Sequence, residues 1–261
     1  MLAGAVILAV LLACAVAPGL VAPYDPLAFD YTALQQPPGL RHPFGTDQFG
    51  RDMLSRTIAA STIDLQIAVF ATIVPLVVGT GIGLLVGYYG GWPDVVFWRL
   101  VDLVVTFPFL VLVIAIVAVL GPGLGNMYIA VSVIGWVFYA RLTRGEVLVL
   151  RGHDYVAAAR VLGYGDVRIL LRHILPNAAR PVLVYWMTDM SLAILLGSSL
   201  GYLGLGAQPP TAEWGVLIAD GKNLFSQAWW ISVFPGVALV LCGIGFSLVG
   251  DGLADLLDVK R

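Results

Sequence analysis

The 261-residue chain is 59% hydrophobic and only 11% charged, and its mean hydropathy is +0.92. A water-soluble domain of this composition would expose extensive apolar surface, so these values exclude a soluble globular protein. The formal net charge of −2 indicates no particular partner. The composition therefore predicts an all-α, polytopic membrane protein.

Metal and disulfide chemistry are not indicated by the sequence. The cysteines Cys14 and Cys242 both lie in apolar runs, which leaves a disulfide unsupported. The three histidines, His42, His153 and His173, are scattered along the chain. Since a metal site needs clustered ligands, we expect none.

The N-terminal stretch from Leu2 to Tyr24 carries no charge. At about 1.5 Å per residue it is long enough to cross a hydrocarbon core of about 30 Å. A cleaved signal peptide would be preceded by a basic segment, which is missing, and the sequence around Cys14 is a poor match to a lipobox. We expect residues 1–24 to form the first transmembrane helix, behind a shortened N-terminus.

A polar, proline-rich stretch follows at residues 25–61, which we interpret as an extracytoplasmic loop. It includes the run HPFGTDQFGRDMLSR at residues 42–56. Thr46 or Asp47 is expected to cap a short surface helix there. The remaining residues, 62–261, are predicted to form a core domain with five further transmembrane helices.

The second predicted span runs from residue 65 to 93 and is interrupted by Pro75. Gly79, Gly83 and Gly87 recur every four residues, a pattern that allows another helix to approach closely. The alternative is that glycine is simply frequent in membrane helices. No nucleotide-binding loop is present, because Gly221-Lys222 lacks the flanking residues of a Walker A motif.

Two more spans are predicted before the longest polar insertion. The third covers residues 100–120, where Asp102 lies one turn from Arg99 and an ion pair is expected. The glycine-rich segment at residues 121–125 predicts a tight turn. The fourth span, at residues 126–140, must then return across the membrane.

Residues 154–181, which we call the bracket, form the polar insertion between two apolar segments. Apolar residues recur at helical spacing twice, on either side of Gly163, and predict two short helices: Tyr155, Ala158, Ala159 and Leu162, then Val167, Leu170, Leu171 and Ile174. Asp166 is expected to cap the second helix and Pro176 to end it. From spacing alone the bracket either rests on anionic lipid headgroups or binds a partner. It offers too little surface for nucleic acid.

The fifth span is predicted at residues 181–203 and contains Asp189. A carboxylate there is expensive unless it faces water or a partner, so Asp189, with Ser198 and Ser199 further along the span, is a candidate to line a transport pathway. Alternatively, Asp189 is held by a hydrogen bond from a neighbouring helix. The sixth span is predicted at residues 229–250, followed by a short tail.

The basic residues set the orientation. With the bracket inside the cell, ten of the fourteen Lys and Arg residues are cytoplasmic, as the positive-inside rule requires. They are Arg99, Arg141, Arg144, Arg151, Arg160, Arg168, Arg172, Arg180, Lys260 and Arg261.

Several of these motifs resemble a known family. The run Ala157-Ala158-Ala159 with Gly163, and the run from Arg172 through His173 to Pro176 and Asn177, resemble the EAA loop of ABC-importer permeases. The run at residues 42–56 is similar to a signature of the dipeptide/oligopeptide/nickel group, and the chain resembles its second permease subunit. Two positions depart from the pattern, because Ala157 and Gly197 stand where the family has glutamates.

The resemblance implies a type I importer permease fold with six transmembrane helices. Residues 150–180 would be the cytoplasmic coupling loop that docks on ATPase subunits, either two chains or one fused chain. A homologous second permease and an extracytoplasmic substrate-binding protein are the other implied partners. The chain itself would carry no cofactor, since ATP and Mg would bind the ATPase.

The implied solute is a di- or oligopeptide. Nickel, heme and glutathione are alternatives within the same group, and the absence of a His/Cys cluster favours peptides over nickel. A functional class outside this family is also open: the chain could be a nucleotide-independent channel or secondary transporter, which would show internal repeats with broken helices. An intramembrane enzyme would need paired catalytic groups at matching depth, and Asp102 and Asp189 provide no evident pair.

Overall fold

A computed structural model describes residues 1–257 of the chain. The predicted all-α class is confirmed for these residues, in which the only strand-like pairing is a bridge between Thr46 and Asp52. The helices in chain order are α1 (Leu2–Val16), α2 (Pro18–Val21), α3 (Met53–Tyr89), α4 (Gly91–Val105), α5 (Phe109–Leu120), α6 (Leu124–Leu150), α7 (Asp154–Val161), α8 (Asp166–Ile169), α9 (Leu175–Tyr202), α10 (Trp214–Gly221) and α11 (Trp230–Leu256). The predicted tail lies partly outside the described residues, as do Lys260 and Arg261 of the charge count.

Three stretches are long and apolar enough to cross a membrane: α3, the continuous run Asp166–Tyr202 and α11. A fourth is the pair α4 and α5, which bends by 84° between the two helices. The bend coincides with Pro108, whose ring nitrogen cannot donate to the helix ladder. The six-span count stays a prediction.

Helix α1 is shorter than the predicted first span. It ends at Val16, and the separate turn α2 begins at Pro18, where the fixed φ of proline suits a new helix start. Gly4 packs so closely on Gly245 and Leu248 of α11 that a Cβ would clash there. The apolar N-terminal helix is therefore held against the last helix.

The predicted loop at residues 25–61 contains a non-helical stretch at residues 25–52, which we call the outer segment, and the first turns of α3. Neither Thr46 nor Asp47 caps a helix, so that prediction is wrong. Asp52 is the N-cap of α3 and accepts from the backbone N–H of Ser55 at 2.7 Å. The buried Asp47 instead accepts from Arg51 Nε at 2.7 Å and from Arg56 Nη1. Charge pairing thus holds the outer segment on the end of α3.

Helices α3 and α6 lie in close contact along most of their length. A Cβ at Gly79 would meet Tyr139, one at Gly83 would meet the Ala140 carbonyl, and one at Gly87 would lie 2.9 Å from Val147 Cβ. The predicted small-residue face is confirmed. Pro75, on the same helix, does not interrupt it, because α3 continues to Tyr89.

The expected ion pair between Arg99 and Asp102 does not form in the described residues. Arg144 of α6 instead binds Asp94 of α4 through two hydrogen bonds, at 2.6 and 2.7 Å. A bidentate guanidinium–carboxylate pair has better geometry than a pair one turn apart on a single helix. This contact ties α4 to α6.

The first prediction concerns the α3–α6 contact. Replacing Gly83 by leucine is expected to destabilise the protein by about 1–3 kcal/mol or more, because a side chain would overlap the Ala140 backbone. Gly81→Leu is the matched control, since Gly81 lies on the same helix with nothing within 4 Å of its Cβ position. Thermal unfolding in detergent measures both. Equal unfolding temperatures would contradict the glycine contact.

Candidate functional site: the bracket and the membrane cavity

The bracket forms two short helices, as predicted. Helix α7 ends before Gly163, whose φ of +79° lies in the left-handed region that glycine adopts at no steric cost. Helix α8 then begins at Asp166 and leads through a π-helical turn, Leu170–Ile174, into α9. The bracket is therefore continuous with a predicted membrane span.

The inner face of the bracket is packed onto the ends of two long helices. Its fully buried residues contact Leu84 and Tyr88 of α3 and Val147 of α6 in one apolar cluster. The bracket's members of this cluster are Val156, Ala159, Ile169, Leu170, Ile174 and Ala178. Burial of these apolar side chains stabilises the packing of the bracket against α3 and α6.

Tyr88 adds polar contacts to this packing. Its hydroxyl donates to Asp166 Oδ1 at 2.7 Å, and the Arg160 guanidinium lies 5.5 Å from the centre of its ring. Arg168 lies 4.0 Å from the ring centre of Tyr164. Two of the four arginines of the bracket are thus engaged within the protein rather than left for a lipid surface.

The outer face of the bracket carries four exposed aliphatic side chains, which we call the outer apolar patch. Their exposed fractions are 88% for Val161, 70% for Leu162, 67% for Val167 and 56% for Leu171. Ala157, Ala158 and Arg172 are also exposed. These exposed apolar side chains are candidates for a contact with lipid or with a partner protein.

Several predictions for the bracket need correction. The row Val167, Leu170, Leu171 and Ile174 is not one face, because Leu170 and Ile174 are buried whereas Val167 and Leu171 are exposed. Asp166 is not the N-cap, a position that Gly165 occupies; Asp166 accepts from Tyr88 instead.

Pro176 does not end a helix as predicted. It lies in the first turn of α9, where its missing N–H is tolerated. His173 is half-buried, and its ring stacks on Tyr164 with centroids 5.9 Å apart. The stacking contact of His173 therefore lies within the bracket itself.

The candidate pathway residue Asp189 lies at the wall of a cavity of about 430 Å³ between α3, α5, α6 and α9. Ser199 lines the same cavity. The hydroxyl of Tyr139, on α6, donates to Asp189 Oδ2 at 2.6 Å. The expected hydrogen bond from a neighbouring helix is therefore present, and Asp189 also lines a cavity. Its place in a transport pathway stays a prediction.

Ser198, in contrast, is buried beside two carboxyl groups that the sequence analysis missed. Its Oγ lies 2.9 Å from Glu213 Oε1 and 3.3 Å from Asp64 Oδ1. Both acids are completely buried. Asp64 lies one residue before the predicted second span, whereas in the structure it lies within α3.

The two acids share a proton. A hydroxyl has one proton to donate, so Ser198 donates to one carboxyl and accepts from the other. Two buried carboxylates in contact do not both ionise, and burial raises the pKa of Glu213. Asp64 also accepts from the Trp214 backbone N–H at 3.0 Å, and Glu213 caps α10. The pair fastens α10 to α3 and α9.

The second prediction tests this pair. Asp64→Asn is expected to leave stability nearly unchanged, because the amide NH₂ donates where the protonated carboxyl would and its oxygen still accepts from Trp214. Asp64→Ala leaves the buried Trp214 N–H unpaired, at about 1–3 kcal/mol. Thermal unfolding in detergent compares the two variants. A larger loss for asparagine than for alanine would show that the pair is ionised.

Comparison with protein families gives a match over most of the chain. Residues 79–261 match the family model described as binding-protein-dependent transport system inner membrane component. The match covers the three glycines of the α3–α6 contact, the bracket and the part of the cavity wall formed by α5, α6 and α9. It begins after the outer segment.

Curated relatives of similar length are close in sequence. The probable D,D-dipeptide transport system permease protein DdpC of Escherichia coli (strain K12) is 41% identical over 92% of this chain and 80% of the relative. The dipeptide transport system permease protein DppC of Alkalihalophilus pseudofirmus is 42% identical, over 86% and 74%. The glutathione transport system permease protein GsiD of Pectobacterium atrosepticum is 40% identical, over 91% and 79%.

Solved structures show the same fold. A chain of the MetNI methionine ABC transporter, in an inward-facing conformation, aligns with a TM-score of 0.62 at 17% identity. The alignment covers 80% of this chain and 98% of that chain. A second crystal form of the same transporter gives a TM-score of 0.65.

Proposed function

Because the chain belongs to the family of binding-protein-dependent transport system inner membrane components, we propose that it is one of two permease subunits of an ATP-driven importer for di- and oligopeptides. It is a membrane transport component rather than an enzyme, and it resides in the bacterial inner membrane. Its architecture is the type I ABC importer permease fold.

The two-sided bracket is the observation that carries the coupling proposal. Its inner face is buried against α3 and α6, whereas the outer apolar patch is exposed. A force applied to the patch would pass to the long helices through packed side chains and, through the π-helical turn, directly into α9. A partner that closes on ATP can therefore shift the helices that line the cavity, provided it contacts the patch differently in its two states.

The partners follow from this arrangement. Importers of this kind include an ATPase and a substrate-binding protein. We propose that the ATPase, as two chains or one fused chain, docks on the outer apolar patch and holds ATP and Mg. A homologous permease completes the pathway, and the binding protein delivers the solute to the outer segment.

Peptides are favoured as the solute because relatives at 41% and 42% identity are named for dipeptides. Glutathione is the second candidate, since another relative at 40% identity is named for it. Glutathione is itself a small peptide, so both fit one chemical class. No group of His, Cys, Asp or Glu in residues 1–257 is suited to hold a metal ion, which gives nickel no support.

Purification from membranes with a tag on this chain tests the assignment. The expected eluate contains a second permease and an ATPase, and the reconstituted complex takes up dipeptide only with ATP and binding protein. Uptake by the lone polypeptide without nucleotide would instead favour a channel or secondary transporter.

The third prediction concerns coupling. Leu171→Glu places a charge in the exposed outer apolar patch, so the protein is expected to insert and fold but to lose most ATP-dependent uptake. The measurement is uptake rate together with the amount of chain in the membrane. Leu171→Met, which keeps the apolar contact, is the matched control. Normal uptake by the Leu171→Glu protein would rule out the patch as the coupling contact.

The adjacent residue provides a contrast. Leu170 is only 4% exposed, so Leu170→Glu would bury an unpaired charge and is expected to lower the amount of folded protein itself. If both glutamate variants behaved alike, the division of the bracket into two faces would be wrong.

A further inference from the structure

The cavity between α3, α5, α6 and α9 has an apolar wall with few polar groups. Beside Asp189, these are Thr72, Tyr185 and Ser199. The Thr72 hydroxyl donates to the Ala68 carbonyl and accepts from a tryptophan N–H, and Ser199 donates to a carbonyl of its own helix. The Tyr185 hydroxyl and the Asp189 carboxyl are therefore the polar groups of the cavity left to bind a solute, and Asp189 is the acid of the two.

The carboxylate of Asp189 is only partly satisfied. Tyr139 donates to Oδ2, while Oδ1 accepts no hydrogen bond in the described part of the chain. None of the ion pairs formed within residues 1–257 includes Asp189. A carboxylate at membrane depth without a cation is costly, so a cation supplied from outside the chain would be bound favourably.

Aromatic rings flank this carboxylate. The Tyr185 ring packs edge-on against Tyr139, with centroids 5.0 Å apart, and lines the cavity together with Phe109 and Phe138. Aromatic faces attract ammonium groups, and more strongly where water is excluded. The same rings and the aliphatic wall suit an uncharged organic remainder of the solute.

We propose that the cavity is a binding site for the primary ammonium group of the transported solute, with Asp189 as its counter-charge. This inference rests on the proposed function and narrows it. The permease itself selects solutes that carry a free amino group, as peptides and glutathione do, independently of the choice made by the binding protein. The organic remainder contacts the aromatic and aliphatic wall.

The test uses the complete importer reconstituted with its binding protein. Uptake of a dipeptide is compared with uptake of the analogue in which a hydroxyl replaces the α-amino group, each at saturating concentration. Because all permease variants receive the same binding protein, a change in the ratio of the two rates belongs to the permease. Asp189→Asn is expected to lower the ratio about tenfold, equivalent to about 1.4 kcal/mol. Asp102→Asn, an exposed acid on α4, is the control and should leave the ratio unchanged.

A second variant separates binding from structure. Asparagine keeps the acceptor for Tyr139 at almost the same size, whereas Asp189→Glu keeps the charge and adds a methylene. Under the proposal glutamate preserves the ratio and asparagine does not; a purely structural role would change both uptake rates together and leave the ratio unchanged in both variants. An unchanged ratio in Asp189→Asn, or failure of that variant to assemble, overturns the proposal. If the unaltered importer shows no ATP-dependent dipeptide uptake, the proposed function itself fails.

Discussion

The close contact of α3 with α6 is the constraint on which both candidate sites depend. Three glycines let the two backbones approach, so that Tyr139 lies beside Gly79 and Val147 beside Gly87. Tyr139 then reaches Asp189 in the cavity, and Val147 forms part of the surface on which the bracket packs. One helix contact therefore fixes the geometry of the cavity and of the bracket.

Under the proposed function, the bracket couples the movement of a cytoplasmic partner to these helices. Packed interiors transmit displacement because they resist compression. With its inner face buried and its last turn continuous with α9, the bracket cannot move without moving the helices around Asp189. The outer apolar patch is exposed, so under the proposed function the same short segment would join a cytoplasmic event to the membrane cavity.

The sequence predicted much of this arrangement, for identifiable reasons. The spacing of Gly79, Gly83 and Gly87 predicted a helix contact, and the break at Gly163 predicted two short helices. The division of the bracket into faces was not predictable, because the packing of the bracket on α3 and α6 decides which of its apolar residues are buried. Helical spacing groups Leu170 with Leu171 and gives no indication that only Leu170 is buried.

The buried acids were missed for a different reason. The predicted second span started at residue 65 and so left Asp64 out, whereas α3 begins at Met53 and includes it. Glu213 lies far from Asp64 in sequence, and its contact with Ser198 arises only when α10 packs against α9. Pairings of this kind depend on tertiary structure and leave no local signal.

The most direct test of the coupling arrangement is site-specific photo-crosslinking in native membranes. Benzoylphenylalanine in place of Leu171 is expected to form an adduct with the cytoplasmic ATPase, whereas the same probe in place of the buried Leu170 should react within the chain. An adduct of the Leu171 probe with lipid alone, or with an extracytoplasmic protein, would contradict the assignment of the bracket as the contact between the permease and its ATPase.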